Sequence, residues 1–374
     1  MIYLWLVIIA MIPYAITDGI KFFGNPSAGL GWQKIKLLGW LRYCLVAGIT
    51  AILLGSRYFL GQDYARYYNV VIPEIINNIG KHEVLFSLLT KLVYPLGGAF
   101  YVIFWVTVIN VIFLYKAIDE RSPYFVLSVI IAIGTLFIPF SLSGIRQGAA
   151  MAIFLYAVKY IKQGKWQPYV FWIVVAMGFH MGSALYLPAY FIRRLKFKPS
   201  LIWILPITFA LAPLILKIIS VLGGVLNFYS SYFSDARYLG AADRIYDVIL
   251  VLLELVIICM YYVVKKEKNL KTDEQNELSI GMAFQVVILF LLGLVAVLPT
   301  ATRTILLFES INIIFIPKLL SWVSDIRKRL LFIMVLLTLL GVVFTNYILK
   351  YNYYETLPFV VQWNGKIYKP ALLN

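Results

Sequence analysis

Continuous apolar runs of about twenty residues recur along this chain. A helix needs about 20 mainly apolar residues to cross the hydrocarbon core of a membrane. Hydrophobic residues make up 62% of the 374 residues, and charged residues only 13%, whereas a soluble globular chain is about 25% charged. So few charges cannot cover a soluble surface, which excludes a soluble enzyme, a disordered chain and a coiled coil. Membrane barrels alternate apolar and polar residues in segments of roughly ten, so the continuous runs exclude them too.

The sequence therefore predicts an all-α polytopic membrane protein with about ten full spans and a cavity open to the outer face. We predict one integral membrane domain over residues 1–374, without a separate soluble domain, and we interpret the N-terminus as a retained first span rather than a signal peptide. The ten apolar runs lie near residues 1–17, 38–56, 96–115, 123–140, 145–162, 200–222, 246–264, 279–299, 304–320 and 330–349.

The net charge of +16 predicts the orientation of the spans. Short loops rich in Lys and Arg stay in the cytoplasm, and this explains the basic excess without a nucleic-acid partner. The basic loops at 265–271 and 327–329 are assigned to the cytoplasm, as is the loop between the first two spans. This places the N-terminus and the connections 57–95 and 223–245 outside the cell.

The apolar run 167–191 has basic residues on both flanks, at 159–165 and 193–198. A single crossing would place one basic flank outside, against the positive-inside rule. Two arms of roughly 16–18 Å each satisfy that rule. The middle of the run, residues 178–183, reads GFHMGS, so we predict a re-entrant or bent helical hairpin whose turn carries His180. The alternative is one long tilted span.

Arg146 stands in the segment SLSGIRQG, residues 141–148, where the fifth span begins. A helix N-terminus offers free N–H groups to an anion, and Arg binds phosphate through a planar fork of donors. Ser141 or Ser143 could cap this helix. We therefore predict that Arg146, with Gln147 beside it, forms a binding site for phosphate or pyrophosphate. The alternative is that Arg146 is an interfacial residue whose side chain extends to the membrane surface.

His180 and the loop 56–70 supply further candidates. Imidazole suits general-base work near neutral pH, although a histidine within a membrane protein also serves as a hydrogen-bond partner between helices. The loop mixes Arg57 and Asp63 with tyrosines, including Tyr67, and leads to Glu83. Flat tyrosine rings and carboxylates are typical of a sugar-binding surface; an aromatic belt at the membrane interface is the alternative. The segment 229–247 has the same character.

Other ionisable residues carry weaker signals. Arg303 lies in the short connection between the runs 279–299 and 304–320 and is equally consistent with snorkelling and with anion binding. Glu254, Glu309 and Lys217 lie deeper in spans, where packing or pairing between helices is the expected role, and Glu309 could support Arg303. The only two cysteines lie in apolar runs and predict neither a disulfide framework nor a metal site.

Four segments together resemble the EpsG-type branch of the Wzy-like polysaccharide polymerases: RYFLGQDYARYY, EVLFSLLTKL, GIRQGAAMAIFLYAVKYI and FHMGSALYLPAYF. The resemblance covers residues 40–195 well and 295–318 loosely. One departure is the pair before Ser183, Met181 and Gly182, where the family has one residue. The matching positions are Arg57, Gly61, Asp63, Tyr67, Glu83, Arg146, Gln147, His180 and Arg303.

The resemblance implies a bacterial, multi-pass cell-membrane glycosyltransferase whose active site faces outside. It would polymerise undecaprenyl-pyrophosphate-linked oligosaccharide repeat units, which act as donor and as acceptor, with flippase and chain-length regulator proteins as candidate partners. It implies neither a cofactor nor a metal. His180, Asp63 and Arg146 would be catalytic, with His180 and Asp63 as rival bases. The substrate-binding residues would be Arg57, Tyr67, Glu83, Gln147 and Arg303.

Two other classes of function stay open at this stage. A transporter or flippase of lipid-linked sugars would show internal repeats and paired broken helices, and the sequence has no clear repeat. A membrane acyltransferase that modifies surface glycans would also use a histidine base. Formation of long lipid-linked chains from a purified repeat unit separates a polymerase from both.

Overall fold

A computed structural model describes residues 2–23, 32–195, 197, 199–226, 244–267, 270–295, 301–363 and 365–368. The chain divides into two compact units, one of Met1–Tyr190 with Leu340–Asn374 and one of Phe191–Leu339. Most of the tyrosine-rich segment 229–247 lies outside the described residues. The prediction of a single membrane domain over 1–374 stays a prediction.

The first unit is helical, in agreement with the predicted all-α class. Its short final hairpin pairs β1 (Val361–Trp363) with antiparallel β2 (Lys366–Tyr368). Its helices are α1 (Ile2–Phe23), α2 (Trp32–Gly55), α3 (Tyr64–Arg66), the π-helical turn Tyr67–Val71, α4 (Ile72–Ile76), α5 (Val84–Val93), the 3-10 turn Tyr94–Leu96, α6 (Gly98–Arg121), α7 (Phe125–Gly134), α8 (Phe137–Ser143), α9 (Ile145–Gln163), α10 (Trp166–Phe179) and the π-helical turn Thr345–Lys350.

Helix α9 lies at the centre of this unit and packs against α6, α8 and α10. Its residues 148–152 read GAAMA, and the glycine and the three alanines among them are buried. Small side chains let helix backbones approach closely in a membrane protein. The closest approach is at Gly148, where an added Cβ would lie 2.5 Å from Ser141 Cβ and 2.8 Å from Asn110 Nδ2. The start of α9 is therefore fixed against α6 and α8.

The apolar run 167–191 folds back on itself. Helix α10 ends at Phe179, His180 is extended, and a 3-10 helix, Met181–Arg194, follows. The Tyr169 hydroxyl donates to the Tyr186 carbonyl at 2.6 Å, and the Tyr190 hydroxyl donates to the Gly164 carbonyl at 2.7 Å. A straight helix would hold each of these pairs more than 20 Å apart. The bent hairpin with its turn at His180 is confirmed; its depth in a membrane stays a prediction.

The second unit is also helical. Its elements are the 3-10 turn Pro199–Trp203, α11 (Ile204–Leu226), α12 (Arg244–Glu267), α13 (Thr272–Leu294), α14 (Ala301–Glu309), α15 (Asn312–Trp322) and α16 (Ile326–Phe344), the last of which continues into the first unit. Helix α13 packs against α11, α12 and α14, and α12 also packs against α15.

The number of candidate spans can be counted only within the described residues. Within the described residues, four helices are long and apolar enough to cross a membrane, or up to six if each of two bent pairs forms one span. About ten full spans are therefore not confirmed. Two of the predicted runs are bent pairs: α7 with α8, at 57°, and α14 with α15, at 41°. The run at 38–56 is represented by a shorter apolar helix, Gly39–Gly55.

Gly148 provides a test of the packing at α9. Gly148→Ala should cost about 1–3 kcal/mol, because its Cβ would overlap Ser141 in a closely packed core. Gly341→Ala is the matched control: it lies inside α16 with nothing within 4 Å of an added Cβ, so the better helix former should add about 0.5–1 kcal/mol. The measurement is unfolding of the purified protein in detergent. Equal effects of the two changes would contradict this packing.

Candidate functional site

Four of the eight predicted site residues meet in the first unit: Tyr67, Glu83, Arg146 and His180. Each lies where a helix begins or ends. Tyr67 opens the π-helical turn, Glu83 immediately precedes α5, Arg146 is in the first turn of α9 and His180 immediately follows α10. Helix ends leave backbone groups unsatisfied and bring side chains to the rim of a fold. The site is therefore assembled from four separate segments.

The Arg146–Glu83 ion pair is the centre of this cluster. Arg146 Nη1 donates to Glu83 Oε2, and Arg146 Nε donates to the Tyr67 hydroxyl at 3.2 Å. The guanidinium also lies 5.5 Å from the ring centroids of Tyr67 and Phe86. Its Nη2 makes no hydrogen bond to a described residue, and the side chain keeps 24% of its exposure. Arg146 is thus held from one side and can donate from the other.

Glu83 also faces His180, because its second oxygen lies 3.9 Å from His180 Nδ1. This distance is too long for a hydrogen bond, but contacts of this kind often tighten when substrate binds. A carboxylate beside Nδ1 favours the tautomer whose Nε2 can accept a proton. Nε2 lies beside Gly182, where an added Cβ would be 2.7 Å away. The absence of a side chain at Gly182 leaves space next to Nε2.

The first turn of α9 presents backbone donors beside Arg146. We expected Ser141 or Ser143 to cap this helix, but Gly144 is the N-cap and no side chain caps it. Ser141 Oγ donates instead to the Ile138 carbonyl, which belongs to α8, and Ser143 Oγ accepts from the Asp63 backbone N–H at 3.4 Å. The uncapped N–H groups and the positive end of the helix dipole remain suited to an anion.

Asp63 lies close to the same cluster. Its backbone contacts Ser143, three residues before Arg146, and its carbonyl accepts from the Tyr67 N–H. Burial raises the pKa of the Tyr67 phenol; Arg146 lowers it, while the carboxylates of Asp63 and Glu83 raise it further. Tyr67 therefore stays a neutral phenol at physiological pH. Both carboxylates act electrostatically on its hydroxyl.

Arg57 differs from the predicted surface residue because it is fully buried. Its guanidinium donates to the carbonyls of Leu54 and Leu142, at 2.9 and 3.0 Å, and to the Thr107 hydroxyl at 2.7 Å. Burial lowers the pKa of Arg57 to about 10, so the group still carries its charge at neutral pH. Arg57 therefore ties its loop to α6 and to the end of α8, just before Arg146.

Gly61 makes a second contact with the same carbonyl. Its φ is +106°, a conformation that favours glycine, and an added Cβ would lie 2.5 Å from the Leu142 oxygen. The glycine of the G-x-D motif therefore lets the loop approach the α8–α9 junction closely. This places Asp63, two residues later, against Ser143.

The C-terminal tail covers this loop, which sequence reasoning missed. Tyr58 N–H donates to the Val360 carbonyl, Gln362 N–H donates to the Ser56 carbonyl, and Arg57 forms a β-bridge with Val361. About 300 residues separate the partners, and the tail has no motif that would have indicated this contact. Thr107 was missed for the same reason, since it lies within an apolar span.

The two remaining candidates are placed as follows. Gln147 is half-buried in the first turn of α9, next to Arg146. Arg303 is exposed at the start of α14 in the second unit. Substrate binding by these two residues stays a prediction, as does a clamp formed by Arg146 and Arg303.

The ion pair at the centre of the cluster has a measurable consequence for stability. Glu83→Gln leaves the partly buried Arg146 without its carboxylate and should lower the free energy of unfolding by about 1–3 kcal/mol. The control is Glu120→Gln, whose carboxylate is more exposed than that of Glu83 and pairs with Lys116 and Lys159; it should contribute less than about 1 kcal/mol. Chemical denaturation in detergent gives both values. A loss at Glu83 no larger than at Glu120 would contradict this arrangement.

The model of the EpsG family matches residues 40–361, a range that contains all eight predicted site residues. No curated protein and no solved structure matches the chain.

Proposed function

Because the chain belongs to the EpsG family, we propose that it is a multi-pass membrane polymerase that joins lipid-linked oligosaccharide repeat units on the outer face of a bacterial cell membrane. The observation that carries this proposal is the position of Glu83 between Arg146 and His180. The guanidinium of Arg146 is suited to binding a phosphate leaving group, and the imidazole of His180 is suited to accepting the proton of a sugar hydroxyl. The family supports a polysaccharide polymerase-like role; undecaprenyl pyrophosphate as carrier and the outward orientation are our proposal.

Arg146 binds the pyrophosphate of the donor in this account. Its free Nη2 and the uncapped start of α9 supply donors to phosphate oxygens. Glu83 and Tyr67 hold the guanidinium by Nη1 and Nε, so little rotamer freedom is lost when the donor binds. Negative charge grows on the pyrophosphate as the glycosidic bond breaks, and preorganised donors at that point stabilise the transition state.

His180 is the general base for the acceptor. The hydroxyl oxygen of the acceptor sugar forms a bond to the anomeric carbon of the donor. The bond from that carbon to the pyrophosphate oxygen breaks, and its electron pair leaves with the lipid pyrophosphate. The hydroxyl proton moves to Nε2 of His180, and the nearby Glu83 carboxylate stabilises the imidazolium. Asp63 orients a sugar through its carboxylate and is the rival base.

Arg57 has a positioning role in this proposal. It is buried and fixes the loop that carries Asp63 and Tyr67. The sequence predicted that Arg57 contacts the substrate. In this proposal it instead holds in place the residues around Arg146. Gln147, beside Arg146 in α9, keeps its proposed contact with the pyrophosphate.

Arg146 tests the binding of the leaving group. Arg146→Lys keeps the positive charge but cannot hold Glu83, Tyr67 and a phosphate through one planar fork. It should lose most of the polymerising activity. The measurement is the length of lipid-linked chains made by purified variants from a defined lipid-pyrophosphate repeat unit. Lys159→Arg, near the other end of α9, is the control and should polymerise normally; near-normal polymer from Arg146→Lys would remove the proposed role.

His180 tests the chemistry of the acceptor. A positioned base contributes about 10²–10⁴-fold to a rate, so His180→Gln should lower turnover by that order while donor affinity is kept. Glutamine hydrogen-bonds but cannot take the proton. Turnover and donor affinity are measured on the same purified variants. Wild-type turnover in His180→Gln would leave this residue a structural role and make Asp63 the base, with Asp63→Asn then expected to be inactive.

A further inference from the structure

The second unit contains two buried carboxylates that the proposed polymerisation does not use. Glu254 lies in the middle of α12, and Glu309 is the last residue of α14. Both side chains are almost completely buried. Helix α12 is apolar enough to cross a membrane, and α14 forms a bent pair with α15 that would also cross. Ionised carboxylates in such segments are costly unless they are compensated, and they are usually functional.

The hydrogen bonds around these carboxylates are incomplete. Glu309 Oε2 accepts from the Tyr246 hydroxyl at 3.2 Å, but Glu309 Oε1 and Glu254 Oε2 are buried without a donor. Gln285 is fully buried and donates to Asn312 Oδ1 at 2.9 Å, yet its own Oε1 has no donor. The Glu254 carboxylate interacts electrostatically with Glu309 and lies beside Asn312. Three unpaired buried oxygens therefore belong to one connected cluster.

No basic side chain compensates the two carboxylates among the residues that the structure describes. The nearest ion pairs on these helices are separate: Lys318 pairs with Glu277, and Lys328 pairs with Glu267. Neither pair includes Glu254 or Glu309. The other charged residues on α12 to α15 are Arg244, Asp247, Lys265, Lys266, Asp273, Glu274 and Arg303.

The backbone at Glu309 adds a second feature that favours a cation. Helix α14 ends at Glu309 and α15 begins at Asn312, with a bend of 41° between them. The last carbonyls of α14 already accept hydrogen bonds from Ser310 and Ile311, so this helix end offers a cation the negative end of its dipole rather than unsatisfied carbonyls. In broken membrane helices such ends coordinate sodium ions or protons. The negative helix end and both carboxylates therefore lie in one buried region.

We propose that this cluster binds one dehydrated alkali cation of about the size of Na⁺, which neutralises one carboxylate while a proton neutralises the other. Its ligands would be the unpaired oxygens of Glu254, Glu309 and Gln285. A set made only of oxygens selects hard cations. A monovalent ion fits a site deep in the unit better than Mg²⁺, which gives up its water reluctantly. This site does not depend on the proposed polymerase activity and is tested without any glycan.

The experiment measures thermal unfolding of the full-length protein in detergent. The wild type is compared in NaCl, KCl, CaCl₂ and choline chloride at equal ionic strength and pH. At a Na⁺ concentration of about 100 times Kd, the unfolding equilibrium should shift about 100-fold towards the folded state, with no such shift in choline chloride. Glu254→Gln and Glu309→Gln should abolish the shift. Glu267→Gln, on the same helix but paired with Lys328, is the matched control and should keep it.

Binding of radioactive Na⁺ to the wild-type protein gives a second measurement that needs no variant to fold. Saturable binding that choline does not displace is the expected result. Stability independent of Na⁺, with protons alone neutralising the pair, would overturn the proposal. A response to CaCl₂ without a response to NaCl would overturn the monovalent assignment, and a Na⁺ response kept by both Gln variants would overturn the location.

Discussion

The Glu83 carboxylate organises the site because it balances the charge of the Arg146 guanidinium and also faces the imidazole of His180. One oxygen pairs with Arg146, and the other lies near Nδ1 of His180. Neither basic group alone fixes a geometry for glycosyl transfer, since Arg and His side chains both rotate. A carboxylate between them sets which guanidinium nitrogens stay free and which imidazole nitrogen faces the acceptor. The same carboxylate thereby positions the group that binds the leaving group and the group that removes the proton.

The position of this site depends on a set of buried contacts around Arg57. Arg57 and Gly61 both meet the Leu142 carbonyl, so the loop after α2 is fixed to the end of α8. Gly148 lets α9 approach the same region. The C-terminal strand covers Arg57 from the other side. Because an uncompensated buried cation is costly, the hydrogen bonds of Arg57 keep these contacts in one arrangement and so place Asp63 and Tyr67 near Arg146.

Local patterns in the sequence predicted part of this structure. The hairpin at His180 followed from basic residues on both flanks of one apolar run and from the glycines in its middle, because charge and backbone freedom are local properties. Membership in the family followed from four ordered motifs. Tyr67, Glu83, Arg146 and His180 were all named from sequence, although their mutual contacts required the fold.

Properties that depend on distant contacts were not predictable. The burial of Arg57 depends on a tail about 300 residues away. The local sequence around an arginine does not show whether its side chain is buried or exposed. About ten full spans are not confirmed among the described residues, and an apolar run does not reveal where its helix breaks. In the run 123–140, the break falls at Leu136, whose φ of +63° is uncommon for leucine. Tertiary packing must stabilise a leucine in this backbone conformation, and tertiary packing cannot be deduced from the local sequence.

The central claim is that Glu83 and His180 act as one unit in catalysis, and a double-mutant cycle on turnover tests it most directly. Glu83→Gln, His180→Gln and the double variant are compared with the wild type in the lipid-linked chain assay, at saturating donor. Residues that act together give strongly non-additive losses. The account predicts that the double variant is about as slow as the slower single variant. A loss in the double variant equal to the product of the two single losses would contradict it.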